Sequence, residues 1–166
     1  MGAADTMVIE VQHHFPVDIE RVWMLLTDIE RMAGLGPENV ESRWTTPGRT
    51  LGAQFTGRNV RNGREWTMPC TVDVYQPPTA FGWAAGDPAQ PTAWWRYDLV
   101  PGHHGGTDVA QRFTHGPGFS YLRRAMEKYP NREAEFVQER ADELAAGMRA
   151  TLSAAVALLE ARQESD

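Results

Sequence analysis

The chain has 166 residues and a formal net charge of −6, which suits one domain with a real core and is too short for two. No run of Lys or Arg is longer than Arg123-Arg124, so we expect neither nucleic acid nor an anionic lipid surface as a partner. No stretch is expected to supply the roughly 20 apolar residues of a membrane span.

The single cysteine, Cys70, excludes an intrachain disulfide and a cysteine-rich metal site. The segment from Met1 to Thr6 lacks the basic start and apolar core of a targeting leader. We therefore expect a soluble, cytoplasmic protein with one domain over residues 7–162 and flexible ends at 1–6 and 163–166. A homodimer is compatible with these features, but no residue pattern predicts one.

The first predicted strand runs from Met7 to Phe15, where apolar residues at odd positions alternate with polar ones. Asp18 is placed to cap a helix that runs from Ile19 to about Leu26. A second short helix is predicted around Asp28 to Ala33, before a glycine.

The clearest local signal is the Asn62-Gly63 pair between two alternating runs, which favours a two-residue type I′ hairpin turn. The resulting register has one mostly apolar face: Asn59 pairs with Trp66, Gly57 with Met68, Phe55 with Cys70, Ala53 with Val72 and Leu51 with Val74. The other face is mostly polar, as in a sheet with one solvated side. Pro69 cannot donate to the ladder, so we expect a bulge there.

Further strands are predicted at Ala80–Ala85, Thr92–Val100 and Thr107–His115, and the short loops between them imply antiparallel neighbours. A short amphipathic helix from Phe119 to Tyr129 follows, and then a long helix from about Asn131 to Arg162 with one apolar stripe. The stripe needs an extended partner, and the preceding sheet is the only candidate. Small residues near the stripe favour a hollow under a curved sheet: Ala141, Ala145, Gly147 and Ala155.

This order of elements resembles the polyketide cyclase/dehydrase and lipid transport group of the START-like (SRPBCC) superfamily, whose fold the birch pollen allergen family shares. The resemblance extends from Val8 to Glu160 and is carried by four segments: Phe15-Pro16-Val17-Asp18-Ile19-Glu20-Arg21-Val22-Trp23, Gly63-Arg64-Glu65-Trp66-Thr67, Trp95-Arg96-Tyr97-Asp98-Leu99 and Gly105-Gly106-Thr107.

The resemblance implies an α+β helix-grip fold. A curved antiparallel β-sheet of about six to seven strands would wrap around the long C-terminal α-helix, with two short helices after the first strand. In that superfamily, the space between sheet and helix is a hydrophobic cavity that holds lipids, sterols, polyketides or other apolar ligands. The superfamily has no universal catalytic motif, so the resemblance assigns no catalytic residue.

The predicted inner face of the sheet carries six aromatic residues: Phe55, Trp66, Trp83, Trp95, Tyr97 and Phe113. Such side chains serve solid cores and apolar pockets equally well. Met68, together with Leu144 and Met148 of the helix stripe, completes the apolar lining of the expected cavity. The same face carries polar residues, namely Asn59, Tyr97, Gln111 and His115. Each would cost about 1 to 3 kcal/mol if buried unpaired, so each must pair, meet water, lie at the rim or meet a ligand.

His115 is the best candidate for acid or base chemistry, because only imidazole changes charge near neutral pH without help. If the protein is an enzyme, His115, Tyr97 or Arg58 would polarise a carbonyl or move a proton. His13 is expected on the order of 20 Å from His115, at the opposite end of a paired strand.

Other chemistries find little support. The adjacent pairs His13-His14 and His103-His104 lack a carboxylate to complete a metal site, and no metal or cofactor is expected. The run Gly118-Phe119-Ser120-Tyr121-Leu122 lacks the second glycine of a nucleophile elbow.

The sequence therefore predicts a protein that binds or carries a small hydrophobic ligand. The alternative is a polyketide aromatase/cyclase or dehydratase-like enzyme that uses the same cavity. A third, less favoured reading is a protein interaction module that uses the sheet edge or the helix near Phe119, which an exposed apolar patch over a filled core would support.

Overall fold

The computed structural model describes residues 2–163. Met1 and residues 164–166, which include most of the C-terminus predicted as flexible, lie outside the described residues. The elements in chain order are β1 (Val8–Phe15), α1 (Ile19–Leu26), α2 (Ile29–Met32), β2 (Asn39–Trp44), β3 (Gln54–Arg61), β4 (Arg64–Gln76), β5 (Ala80–Asp87), β6 (Gln90–Pro101), β7 (Thr107–His115), α3 (Tyr121–Lys128) and α4 (Glu133–Gln163).

The strands form one curled seven-stranded antiparallel sheet in the order β1-β7-β6-β5-β4-β3-β2. Successive strands from β2 to β7 are neighbours, and β1 closes onto β7. The long helix α4 and the two short helices after β1 complete the fold. The predicted α+β helix-grip architecture is confirmed.

The hairpin between β3 and β4 has the predicted register, with Phe55 opposite Cys70 and Asn59 opposite Trp66. Asn62 and Gly63 both have positive φ, 51° and 72°, as a type I′ turn requires. This one turn fixes which residues of the two strands face the interior.

The ladder begins at Gln54, later than predicted. Leu51 is 63% exposed and lies outside the strand, so its predicted position opposite Val74 is wrong. The reason is local: Gly52 has φ +84°, which only glycine adopts readily, and the chain turns there. Val74 pairs with Gly82 of β5 instead.

Pro69 lies in the regular ladder opposite Thr56, without the expected bulge. Alternation from the turn makes this a non-hydrogen-bonded pair, so the Pro69 nitrogen points away from β3. On its other side, pairing with β5 starts only at Cys70. The missing N–H therefore costs no hydrogen bond, and the irregularity falls between Val72 and Val74.

Helix α1 begins where the sequence predicts, and α3 begins at Tyr121, two residues after the predicted start at Phe119. The Asp18 carboxylate accepts a hydrogen bond from the Arg21 backbone N–H at 3.0 Å, and Ser120 accepts one from the Arg123 N–H at 3.0 Å. Each cap satisfies a backbone donor that the first helical turn leaves unpaired.

The start of the chain, assigned by sequence to a flexible segment, forms a 3-10 helix from Ala3 to Thr6. Ala4 is fully buried, and the Asp5 carboxylate accepts a hydrogen bond from the Arg123 guanidinium at 2.8 Å. These contacts place the segment against β7 and α4.

Helix α4 has two functionally different halves. In its C-terminal half, Leu152, Ala155 and Leu159 are buried in the same hydrophobic cluster as Val22 and Leu25 of α1. These residues form a solid core. The N-terminal half instead lines a cavity, described below.

Helix α4 is also long and apolar enough to cross a membrane by length and composition. This departs from the sequence expectation, because the many alanines of the helix raise its mean hydropathy. The finding is weak evidence for a span, since the core helix of a soluble protein passes the same test. Leu144, Met148, Leu152 and Leu159 are already buried within the protein.

Candidate functional site: a cavity between the sheet and α4

A cavity of about 1080 Å³ lies between the inner face of the sheet and the N-terminal half of α4. Strands β3 to β7 supply one wall, and α3 and the segment between α2 and β2 supply further lining residues. Ligand pockets in proteins commonly measure about 300 to 1,000 Å³. The space is therefore large for a small-molecule pocket.

The aromatic side chains form a continuous strip along the cavity wall. All six predicted aromatic residues line it: Phe55, Trp66, Trp83, Trp95, Tyr97 and Phe113. Trp83 and Trp95 are stacked at 6.4 Å between ring centroids, and Phe113 meets Trp95 edge-on at 4.9 Å. Phe55 meets Trp83 at 5.6 Å. The strip thus draws on β3, β5, β6 and β7 and offers an apolar surface of ring faces and ring edges.

Flexible apolar side chains complete the lining. The cavity is also lined by Met68 of β4 and by Leu144 and Met148 of α4. The two helix residues are four positions apart and lie on one face of α4. Methionine is unbranched and polarizable, so it adapts to occupants of different shape.

One polar pair lies in this apolar wall. Tyr97 and Gln111 face each other across β6 and β7, and the Gln111 Nε2 atom donates to the Tyr97 hydroxyl at 3.4 Å. Gln111 is only 5% exposed, yet its Oε1 atom has no hydrogen-bond partner within the described part of the chain. Burial raises the pKa of the Tyr97 phenol, which keeps it neutral at physiological pH.

A second polar pair lies at the end of β7. The His115 Nε2 atom is 2.9 Å from the Ser120 Oγ atom. The His115 Nδ1 atom is buried and, among residues 2–163, has no hydrogen-bond partner. Burial, helped by the positive charge of Arg123, lowers the pKa of His115. The imidazole is therefore neutral at pH 7 and can accept a proton or a hydrogen bond there.

Sequence reasoning missed Ser120 as the partner of His115. The sequence signal that could have revealed Ser120 is its position as a helix cap. Ser120 precedes α3, and its Oγ atom accepts a hydrogen bond from the Arg123 N–H. The turn before the helix places the Ser120 Oγ atom beside His115, five residues earlier in the chain. Ser120, like His115, lines the cavity.

Asn59 is held by the protein itself. Its side chain donates to the Gly57 carbonyl and accepts from the Asn39 side chain, both at 3.3 Å. Asn39, which the sequence did not single out, also lines the cavity. The Asn59 amide is therefore paired within the protein, and it is less available to an occupant than Gln111 or His115.

Arg58, the third catalytic candidate, does not line the cavity. Its guanidinium pairs with Glu41 at 3.3 Å and Glu65 at 3.5 Å. Neighbours along a strand point to opposite faces, and Gly57 and Asn59 are the ones that face the cavity. Arg58 is on the outer face and cannot act on a cavity occupant.

The other histidine considered in the sequence, His13, lies far from His115. His13 pairs with Val109, whereas the His115 backbone binds Met7 at the other end of β1, so the predicted separation of the two histidines is confirmed. The described chain holds no group of three or more side chains that could ligate a metal ion. Cys70 lines the cavity, and burial raises the pKa of its thiol to about 12.

Charged residues surround the cavity mouth as ion pairs. Arg140 of α4 binds Glu38 through two hydrogen bonds of 2.7 and 2.8 Å and reaches Glu143 at 3.2 Å. Arg61, at the end of β3, binds the same Glu143 at 2.7 Å. These four residues connect α4 to the hairpin and to the segment before β2.

Aromatic side chains also lie beside the β3–β4 hairpin. The Arg64 guanidinium lies 4.2 Å from the ring centre of Tyr121, and Trp66 meets the same ring at 5.8 Å. These contacts join the β3–β4 hairpin to α3.

Among the small residues of α4, only Gly147 lines the cavity; Ala155 is buried in the solid core. The expectation that Ala155 helps to leave a hollow is therefore wrong. Gly147 allows a close approach, since Pro37 lies 3.5 Å from the position a Cβ atom would take. A Cβ atom at Gly36 would collide with Thr151 of α4. The chain before β2 thus packs directly on the helix.

A curled antiparallel sheet that holds a long C-terminal helix across an aromatic cavity defines a START-like helix-grip protein. The sequence pattern of the polyketide cyclase/dehydrase and lipid transport family matches residues 6–164. The chain belongs to that family, and the resemblance found in the sequence is confirmed.

Solved structures agree on the fold. A polyketide cyclase-like protein of Corynebacterium glutamicum is 27% identical, with a TM-score of 0.68 over 96% of this chain and 95% of that one. Protein Ms6760 of Mycobacterium smegmatis is 18% identical, with a TM-score of 0.65 over 98% and 96%.

The di-domain aromatase/cyclase StfQ from the steffimycin biosynthetic pathway is 14% identical, with a TM-score of 0.74 over 96% of this chain and 53% of that one. At this identity the likeness shows the fold alone. A search of curated proteins found no match. Family and fold together support a ligand-binding or polyketide-cyclase-like role.

Proposed function

We propose that this protein binds a small, predominantly apolar molecule in the cavity between the sheet and α4. The observation that carries the proposal is the strip of Phe55, Trp83, Trp95 and Phe113 along about 1080 Å³ of space. Phe55 and Phe113 are already buried by the protein, at 4% and 6% exposure, whereas Trp83 and Trp95 are only partly buried. An occupant can cover the exposed part of these two indole rings and gain about 25 cal/mol for each Å² of apolar surface removed from water.

Electrostatics support the same proposal. The ionisable side chains within the wall, Cys70, Tyr97 and His115, all have pKa values moved in the direction that favours the neutral form at pH 7. The wall therefore presents an apolar surface with a few neutral hydrogen-bonding groups, as small-molecule pockets do. Lipids and polyketides are the ligand classes to test first, given the description of the family.

A thermal-shift and native mass spectrometry screen with fatty acids, sterols and aromatic polyketides tests the proposal. A compound at 100 times its Kd should add about 2.7 kcal/mol of stability, which raises Tm by roughly 5 to 10 °C in a domain of this size. The variant Ala85→Leu, which extends a side chain from the cavity wall, should lose this response.

The control is Ala110→Leu, on a strand residue that does not line the cavity. It should keep the full response. Failure of every compound to raise Tm or to appear in the mass spectrum would overturn the proposal. An equal response in both variants would place the binding elsewhere on the protein.

A cyclase-type enzyme is the second candidate, and the His115–Ser120 pair favours it. A neutral imidazole at the cavity wall can remove a proton from a carbon between two carbonyls, while the Tyr97 hydroxyl donates a hydrogen bond to a carbonyl oxygen. The similarity to one half of an aromatase/cyclase supports the same fold for this chemistry.

Substitution separates the two candidates. If the protein turns over a poly-β-ketone, His115→Gln and Tyr97→Phe should each lower kcat by about 10²-fold or more without abolishing binding. Unchanged turnover in both would exclude these roles. Phe119 is exposed, but the interior is not filled, so we do not favour the interaction-module reading.

A further inference from the structure

The charges around the cavity restrict what it can hold. Among the described lining residues, three are acidic, Glu38, Glu139 and Glu143, and three are basic, Arg61, Arg64 and Arg140. Their formal charges cancel. Four of them bind one another in the ion-pair network at the mouth, and Arg64 covers Tyr121.

Apart from these six residues, the lining supplies no charged side chain to meet a ligand ion, because the other described lining residues are apolar or neutral polar. Arg123, whose charge acts on His115, is itself paired with Asp5 at 2.8 Å. An ion taken from water into such a site pays a desolvation penalty of several kcal/mol unless an opposite charge meets it. The wall therefore discriminates against a carboxylate or phosphate placed inside.

Two polar positions mark the wall along β7. Gln111 and His115 point to the same side of the strand, since they are four residues apart, and Phe113 lies between them. Four steps of about 3.3 Å separate their backbones by roughly 13 Å. The concave face of the curled sheet brings the side-chain ends somewhat closer. Each residue carries a buried polar atom without a partner in the described chain, Oε1 of Gln111 and Nδ1 of His115.

We infer that the cavity takes an uncharged, elongated molecule with an apolar, ring-containing middle and a hydrogen-bonding group near each end. The middle would pack against Phe113 and Trp95, which meet edge-on at 4.9 Å. One end would meet the amide of Gln111, and the other would meet His115. This inference rests on the proposed function and adds the charge, length and polarity of the ligand.

Three rigid probes of equal shape test the inference by isothermal titration calorimetry at pH 7.5. They are 4,4′-dihydroxystilbene, which is neutral with two polar ends, 4-hydroxystilbene, which has one, and stilbene-4,4′-dicarboxylate, which is charged. We expect the dihydroxy compound to bind about three- to tenfold more tightly than the monohydroxy compound. The dicarboxylate should bind at least about 100-fold more weakly.

Matched variants test which residue binds each polar end of the probe. Gln111→Leu should reduce the affinity for the dihydroxy compound to that of the monohydroxy compound. Gln12→Leu makes the same change at an exposed position of β1 and should leave both affinities unchanged. His115→Phe should act like Gln111→Leu, and the two substitutions together should leave no preference for hydroxyl groups.

The outcomes distinguish the inference from the proposed function. Equal or tighter binding of the dicarboxylate would overturn the inference that the ligand is uncharged. Equal binding of the two phenols to the unaltered protein would overturn the inference that the ligand has a hydrogen-bonding group near each end. If none of the probes binds although a lipid or polyketide of the screen does, the inference is wrong and the proposed function stands. If nothing binds at all, the proposed function fails.

Discussion

The Tyr97–Gln111 pair lowers the stability of the empty protein, and replacing both residues should raise it. The pair is almost fully buried, its one hydrogen bond is long at 3.4 Å, and the Gln111 Oε1 atom has no partner in the described chain. An unpaired buried polar atom costs about 1 to 3 kcal/mol, whereas an ordinary hydrogen bond contributes about 0.5 to 1.5 kcal/mol. The balance for this pair is unfavourable.

The double variant Tyr97→Phe with Gln111→Leu removes the hydroxyl and the amide together and keeps similar volumes. We expect it to be more stable than the unaltered protein by about 1 kcal/mol, which raises Tm by roughly 2 to 4 °C. Gln111→Leu alone leaves the Tyr97 hydroxyl unpaired and should be near neutral. Tyr97→Phe alone leaves both amide atoms of Gln111 unpaired and should destabilise by about 1 kcal/mol.

Equilibrium urea unfolding of the four proteins gives the free energies and their coupling. Gln12→Leu, on the exposed side of β1, serves as the control and should stay within about 0.5 kcal/mol of the unaltered protein. A double variant less stable than the unaltered protein by more than about 0.5 kcal/mol would refute the reasoning, because the pair would then stabilise the fold. A gain in stability with a loss of phenol affinity would show that the pair is kept for binding.

Two further predictions concern charge. In a double-mutant cycle of Arg140→Met and Glu38→Gln, we expect a coupling of about 1 to 2 kcal/mol, since the side chains are 16% and 28% exposed. The pair Arg132–Glu135, at 52% and 48% exposed, should give a clearly smaller coupling, because solvent screens it. Equal couplings would contradict the reasoning. Because the pKa of His115 is lowered on folding from its usual 6.5, the unfolded chain binds more protons, so stability should fall as the pH drops below about 6.5. In urea unfolding between pH 5 and 7, His115→Gln should flatten this dependence, and an unchanged slope would refute the assignment.

Much of the fold follows from local signals. The alternation along Thr107–His115 and the Asn62-Gly63 turn fix strands and register without knowledge of the rest of the chain. Asp18 sets the start of α1 in the same way. The inner face of the sheet could therefore be predicted residue by residue, and with it most of the cavity wall.

What could not be predicted depends on local backbone conformation that the residue pattern does not fix. Leu51 has the parity of an inner-face residue, but a positive φ at Gly52 ends the ladder. Ser120 has no nucleophile motif, and only the conformation of the turn between β7 and α3 brings it to His115, five residues earlier in the chain. Arg58 is a different case, because its chemistry made it a catalytic candidate although the Asn62-Gly63 register already assigns it to the outer face.

The division of α4 explains how one domain can combine a stable fold with a large internal space. The stripe is continuous in sequence, yet Leu152 and Leu159 fill a solid core with α1, while Leu144 and Met148 line the cavity. Burial at the C-terminal half supplies a hydrophobic anchor that does not depend on an occupant. At the other half, the ion pairs centred on Arg140 connect the helix to the sheet across the mouth. Because these connections lie at the rim, a ligand can cover the aromatic wall without displacing the core.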